Sequence, residues 1–574
     1  MHIFERLTGG RKFRVASQSV WDPTRGRSIA RQAVLGSAEP PPTADLAATQ
    51  IVGNLAIGDV GALVWVAEQL DLIGRIDRTS GLPRRLSQPS LGEMVLAVAV
   101  QRACAPGPKV DLAGFLAGSL PRVSCLPAAR FTGQAFHRLA QQVTEDDLEK
   151  VQVALAKAIV ERFSLRTDVL AFDTTNFDTH IATPTSGELA RRGHAKSKRR
   201  DLRVVGLGLL VSETEHVPLL YRTIPGNTSD QAVLRTCLEG LGKLQDALDG
   251  QRPSPATRTL VRDGGFWSPD LEEVMDLVGY SSLISLPMGH KAAQHALKVA
   301  ATRGATTRLK GSLRPGRAAR VRTKVGALDR TLIVVESQEL LVGQKRGVAA
   351  RLKKAKQELR VLQGRVEQGR LTREVVEGHA QRILAKEHLA KFVVVTVVGR
   401  GKHLTLEWQV DGALRRELER GRLGKRVLCT DRHTWSTERI IKAAYGQWKV
   451  EELFRRTKKG AVVPWGPSHQ WADSSLRLHT FATVVGLTLV SLVRVALDPE
   501  GSALTMMESL REVRATLLRT RSGKLGRPET VMLAPELTVE QSRSVEVFEL
   551  ARWLPALLAC RPRSRENARK QAAS

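Results

Sequence analysis

Three short segments of this chain each place a carboxylate where phosphodiester chemistry would need it. Asp173 follows Leu170-Ala171-Phe172, Asp263 follows Leu260-Val261-Arg262, and Glu451 and Glu452 stand side by side in Trp448-Lys449-Val450-Glu451-Glu452-Leu453-Phe454. The first two contexts are short apolar runs of the kind that form buried strands, and the third carries an apolar repeat of helical period. A carboxylate at the end of a buried strand is costly unless a cation neutralises it. Paired divalent metals do so while activating water and stabilising a leaving oxygen. The neighbouring residues fit: Thr174-Thr175-Asn176 offer polar groups for water or phosphate, and Gly264-Gly265 permit close backbone approach beside Phe266 and Trp267.

Composition points the same way. The 574 residues carry 88 Lys plus Arg against 58 Asp plus Glu, a formal charge of +30, and that excess favours a polyanionic partner such as DNA or RNA. With 42% hydrophobic residues, a chain of this length has material for two to four domains. Cys104, Cys125, Cys237, Cys429 and Cys560 are scattered singly, so neither a zinc site nor a disulfide scaffold is indicated and a reducing cytoplasm fits. The histidines never take an H-x-x-x-H spacing, and no Walker-type phosphate loop occurs, which argues against zinc-dependent and ATP-dependent chemistry. Met1 to Arg14 lacks a signal-peptide core. The apolar stretch Thr480 to Val493 is expected to be a buried helix, with no membrane involved.

The elements that must position the acids can be read from periodicity. Residues 1–42 are expected to form a β-hairpin over 11–36 and a Pro40-Pro41-Pro42 linker, and 43–165 a helical N-terminal domain that can bind DNA. From Val169 the texture becomes α/β, with strands at Val169 to Phe172, Val204 to Val211, Val217 to Tyr221, Leu260 to Val261 and Leu283 to Leu286. A helix is expected at Ala232 to Leu241, and another to start at Ser268-Pro269-Asp270. This rhythm fills 166–287, breaks over 288–435 and resumes with helices over 436–500, so 288–435 is expected to be an insertion. Within it, Val348, Leu352, Ala355, Leu359, Leu362 and Val366 mark a helix seam that a second helix can cover. Phe392 to Val398 and Leu404 to Val410 suit a β-hairpin. Residues 501–574 form a basic C-terminal region. Basic tracts at Arg191 to Arg200 and Arg308 to Lys324 are expected to contact DNA.

Two motifs make a resemblance specific. Asp263-Gly264-Gly265-Phe266 and the later Tyr445, Trp448-Lys449-Val450-Glu451-Glu452-Leu453-Phe454-Arg455 and Lys458 resemble the second-acid and glutamate signatures of bacterial insertion-sequence transposases of the DDE type, in the insertion-sequence-four superfamily. Lys196-Ser197-Lys198-Arg199-Arg200-Asp201-Leu202 and Pro225-Gly226-Asn227-Thr228-Ser229-Asp230 agree with it. The resemblance implies an RNase H-like catalytic core, interrupted between the second Asp and the Glu. It also implies Mg²⁺, with Mn²⁺ as substitute, bound by Asp173, Asp263 and Glu451. The activity implied is cleavage at the element's terminal inverted repeats and strand transfer into target DNA, by a homodimer assembled on double-stranded DNA in the bacterial cytoplasm. Tyr445, Trp448, Lys458, Lys198 and Arg199 are the expected DNA-contacting residues. A catalytically silent DNA-binding descendant and a nuclease without strand transfer share many of these features and stay as alternatives.

Trp448 stands where the family pattern has Arg, so counting from Tyr445 selects Glu452 and Lys459, whereas counting from the Trp-x-Val-Glu core selects Glu451 and Lys458. Helix geometry favours the second count. At about 100° per residue, Val450, Leu453, Phe454 and Thr457 form the packed stripe, with Glu451 at its border and Glu452 turned away.

Overall fold

A computed structural model describes residues 2–8, 11–22, 26–37, 49–182, 185–193, 195–199, 201–250, 258–304, 307–309, 316–369, 371–386, 388–459, 462–520 and 529–559. The Pro40-Pro41-Pro42 linker, Arg200 and the basic stretches at 310–315, 521–528 and 560–574 lie outside the described residues. The chain divides into two compact units: Met1–Val143 with Ala461–Pro464 and Phe481–Ser574, and Thr144–Gly460 with Trp465–Thr480.

The first unit begins with a three-stranded antiparallel sheet, β1 (His2–Thr8), β2 (Arg11–Asp22) and β3 (Arg27–Ser37), one strand more than the expected hairpin. Then come β4 (Thr49–Ala56) and helices α1 (Gly58–Gln69), α2 (Leu72–Ser80), α3 (Leu91–Cys104), α4 (Leu112–Ala117) and α5 (Gly133–Gln142). A Ser90–Glu93 capping box starts α3, whose fourteen residues are all buried.

The second unit opens with α6 (Glu145–Phe163), so this last helix of the expected N-terminal domain belongs elsewhere. Its strands are β5 (Val169–Thr179), β6 (Arg203–Ser212), β7 (Pro218–Pro225), β8 (Arg258–Arg262), β9 (Tyr280–Leu286), β10 (Thr307–Arg308), β11 (Gly316–Val325), β12 (Leu328–Ser337), β13 (Val393–Val398), β14 (Thr405–Val410) and β15 (Lys425–Thr430). Between them lie α7 (Asp230–Asp249), α8 (Pro269–Leu277), α9 (Lys291–Arg303), α10 (Gln338–Glu367), α11 (Arg373–Lys386) and α12 (Gly412–Gly421), followed by α13 (Thr437–Tyr445) and α14 (Trp448–Lys459). Pro269 occupies the first turn of α8 as expected. The nine-stranded mixed sheet has the order β10-β11-β12-β15-β9-β8-β5-β6-β7. Within it, β7-β6-β5 are antiparallel and β5-β8-β9 parallel, the RNase H-like arrangement.

The expected boundaries of the insertion need correction. Four strands within 288–435, namely β10, β11, β12 and β15, continue the main sheet, and only α10 to α12 with the β13–β14 hairpin stand apart from it. The misleading feature is β11. Its exposed Arg320, Arg322 and Lys324 alternate with buried Val321, half-buried Thr323 and buried Val325, a period of two hidden beneath the charge count. The helix seam behaves as expected of internal packing: Val348, Leu359, Leu362 and Val366 bury against Val376, Ala380 and Leu384 of α11 and against the hairpin.

The chain then returns to the first unit through α15 (Asp473–Leu497), α16 (Ala503–Arg511), β16 (Arg514–Thr520), β17 (Glu529–Leu533) and α17 (Val539–Val547). In a β17-β16-β4 sheet, β16 pairs with β4, so the expected N-terminal domain and basic C-terminal region are parts of one body. Gly58 is required there, because a Cβ would lie 2.1 Å from the carbonyl oxygen of Leu510. Among the described residues α15 alone is long and apolar enough to cross a membrane, and 83% of its apolar window is buried within the protein.

Candidate active site

Parallel pairing of β5 with β8 sets Leu170 opposite Leu260 and Ala171 opposite Val261. Continued by two residues, that register would set Asp173 of β5 level with Asp263, the first residue after β8, and the charge of Asp263 acts on Asp173. Beyond the two acids the strands diverge. β5 runs on past Asp173, whereas β8 ends at Arg262 and the chain turns at once into a 3₁₀ turn, Gly264–Phe266. Both glycines of that turn are needed: a Cβ on Gly264 would lie 2.7 Å from the carbonyl oxygen of Ser285, and one on Gly265 would lie 3.0 Å from Oδ2 of Asp230.

Helix α14 supplies the third acid. Val450, Leu453, Phe454 and Thr457 are all buried, as the helical stripe requires, and the helix packs on β5 and β6. Its start is anchored where Lys449 Nζ donates to the carbonyl oxygen of Glu213 at 2.8 Å. Near its end, the Trp465 N–H donates to the carbonyl oxygen of Thr457 at 2.8 Å, while the Trp465 ring stacks on Phe177 of β5 at 4.7 Å. Of the two glutamates, Glu452 is committed along its own helix, accepting from Arg456 at 2.8 Å and lying 3.8 Å from Arg455. Glu451 is exposed, and its charge acts on Asp173.

Burial pushes the Asp173 carboxyl up to about 6, and the charges of Asp263 and Glu451 add to the rise. Opposing them are the ammonium of Lys196 and the N–H of Thr174, which donates to Oδ1 at 2.7 Å. Lys196 is the largest single charge acting on Asp173, and its Nζ donates to the carbonyl oxygen of Thr174 at 2.5 Å. Lys458 also lies within electrostatic reach of this cluster. Although the residue as a whole stays exposed, burial of its charged end and the proximity of Lys196 push its pKa down to about 8, against the pull of Asp178 and Asp173.

Among the described residues no three His, Cys, Asp or Glu side chains stand close enough to form a ready-made metal cage. The chemistry of the donors nevertheless fits a divalent cation. They are carboxylate oxygens, and Asp173 is desolvated and repelled by two like charges, a situation that a bound cation relieves.

The other expected DNA-contacting residues are dispersed. Trp448 is 53% exposed and meets His216 edge to face at 5.9 Å. Tyr445 lies under the Arg426 guanidinium at 5.8 Å. Lys198 is exposed in a left-handed backbone conformation, and Arg199 is engaged by Asp201 through contacts of 2.8 and 2.5 Å. Sequence reasoning placed Lys196 only within the DNA-contacting basic tract Arg191 to Arg200, without a role at the acids, and passed over Asp230, the first residue of α7. The Thr174 hydroxyl donates to Asp230 Oδ1 at 2.6 Å, so one carboxylate touches both the residue after Asp173 and the glycine turn after Asp263. Both residues lay inside motifs that the resemblance had marked, but only their contacts distinguish them from their neighbours.

No curated protein matches this chain. A cryo-EM structure of the piggyBac transposase synaptic complex with hairpin DNA is similar at 8% identity, covering 79% of this chain and 78% of that one, with a TM-score of 0.35. Residues 165–462, more than half of the chain and the span that holds Asp173, Asp263 and Glu451, match the family model described as Transposase DDE domain. The chain belongs to the transposase DDE domain family.

Proposed function

We propose that this protein is a transposase of the bacterial insertion-sequence-four kind, which cleaves DNA at its element's terminal inverted repeats and joins the freed 3′ hydroxyl to target DNA. The observation that carries this reading is the strand register that leads Asp173 of β5 and Asp263 toward one level, with the half-buried Asp173 carboxyl pushed up chiefly by desolvation, countered by Lys196 and raised further by the charges of Asp263 and Glu451. Asp173, Asp263 and Glu451 are the residues that would hold Mg²⁺, with Mn²⁺ as substitute, and the bound ion would supply water activation and stabilisation of the leaving oxygen. Lys196 and Lys458 hold positive charge beside the acids, where a scissile phosphate can be anchored. Trp448 offers an exposed ring to a base, and the exposed Lys198 and Arg199 would meet the DNA backbone. Two copies acting on paired ends in the bacterial cytoplasm complete the proposal.

A strand-transfer assay with paired end substrates and Mg²⁺ tests it. Joined products are expected. Cleavage without joining would make the protein a nuclease, and binding without cleavage a silent descendant.

The same assay separates the glutamates. Glu451→Gln is expected to lose cleavage by at least about a hundredfold. Glu452→Gln removes only the ion pairs to Arg455 and Arg456 and is expected to stay within about threefold of wild type. The reverse pattern would transfer the role to Glu452.

Asp230 is expected to position the site. Asp230→Ala should slow single-turnover cleavage about tenfold, the worth of one charge-assisted hydrogen bond. Asp230→Asn, which can still accept from Thr174, should recover most of that loss. Equal rates for the Ala variant and wild type would remove the assignment.

A further inference from the structure

A cavity of about 940 Å³ opens in the second unit, where β11, β12 and β15 meet α10 and α12. Six basic and two acidic side chains line it. The acids are already engaged, Glu336 with Lys425 at 3.6 Å and Glu419 with Lys345 at 3.0 Å. Arg308, Arg317, Arg416 and Arg420 remain, and none forms an ion pair with an acid among the described residues. Four guanidiniums around one concavity repel one another unless an anion joins them, and their planar donor forks suit phosphate oxygens.

Strand register locates this cavity relative to the acids. Arg262 of β8 is level with Ile284 of β9, Leu286 with Val427 of β15, Lys425 with Glu336 of β12, and Ser337 with Gly316 of β11. The cavity therefore lies at the end of the sheet where β8 delivers Asp263. Three strand spacings sideways and about three residues farther along, it stands on the order of 15–20 Å from that acid.

We propose that this cavity grips the phosphate backbone of an unpaired DNA strand, about two or three nucleotides long, as it leaves the cleavage site. The proposal rests on the transposase reading above. If round, the cavity would be about 12 Å across, about the width of a major groove alone, so a duplex could touch only its rim. Among the described residues no aromatic side chain lines it, so they give bases no stacking platform and the grip is on the backbone, independent of sequence.

The test measures binding of a fluorescent oligothymidine and of a blunt duplex of equal length across a salt series. The proteins compared are wild type, the triple variant Arg317→Ala/Arg416→Ala/Arg420→Ala, and the corresponding triple Lys variant. The Ala variant is expected to lose about tenfold in single-strand affinity at low salt. Its slope of log affinity against log salt should become shallower by about 2, as three lost phosphate contacts require. Duplex affinity should change less than about twofold. The Lys variant should keep the slope and lose only about threefold, which separates lost contacts from a damaged fold. An unchanged single-strand slope in the Ala variant would overturn the proposal, as would equal losses on duplex or displacement of the oligonucleotide by millimolar inorganic phosphate. Wild type binding neither DNA would overturn the transposase reading as well, whereas wild-type binding with an unaltered triple variant removes the cavity assignment alone.

Discussion

Replacing Asp173 or Asp263 by Ala is expected to lower DNA cleavage at least about a thousandfold, the equivalent of ~4 kcal/mol in the barrier, while DNA affinity stays within about threefold. The two halves of this expectation have different physical origins. Asp173 in β5 and Asp263 just after β8 are close enough for their charges to interact, and those charges can serve reacting groups. Affinity comes from many basic side chains spread over the surface, and losing one acid removes none of them. Wild-type cleavage by either variant would refute the assignment.

Asp173 also permits a check that does not depend on activity. Its folded-state carboxyl is raised to about 6, so ionising it opposes folding of the metal-free protein. The penalty is absent below the ordinary carboxylate range near 4, grows as pH rises, and is complete above about 6. Metal-free Asp173→Asn should therefore melt above wild type at pH 7 and lose this advantage at pH 4. Identical melting curves at both values would mean that the carboxyl is not desolvated as described. A stability gain paired with lost activity is the usual signature of a functional group held in an unfavourable setting.

The second large effect concerns the fold beneath the site. Arg262, immediately before Asp263, is fully buried and donates to Glu272 at 2.8 Å and to Ser282 at 2.6 Å. Arg330 of β12 approaches the other oxygen of Glu272 at 3.9 Å. One carboxylate on α8 therefore serves a buried arginine from the core strand β8 and another from β12. Glu272→Ala is expected to destabilise the second unit by about 3–5 kcal/mol, because it leaves buried positive charge without its counter-ion. The double variant Arg262→Met/Glu272→Met should recover most of the loss, since Arg330 keeps Asp276 at 3.6 Å. Denaturant unfolding of the three proteins measures both effects. A loss below about 1 kcal/mol for Glu272→Ala would show that water reaches the arginines. Because Arg262 fixes the backbone that carries Asp263, cleavage should fall along with stability in the single variant.

Much of the second unit was legible in the chain. Local apolar runs end at Asp173 and Asp263, and a 3.6-residue stripe fixes which face of α14 is buried; both are local properties of consecutive side chains. Through these features the sequence alone determined the α/β core, the strands that lead to Asp173 and Asp263, the helix bearing Glu451 and the helical seam over Val348 to Val366. Long-range pairing was invisible to it. Nothing in Arg514–Thr520 announces that it will pair with Thr49–Ala56, and the charge of Arg317–Lys324 concealed a strand of the main sheet. Nor could spacing tell Lys196 from Lys198, since nearby lysines differ only in where the folded backbone aims them. The tertiary structure decided those matters, because strand order, the Arg262–Glu272–Arg330 network and the Asp230 contact all depend on segments far apart in sequence meeting in three dimensions.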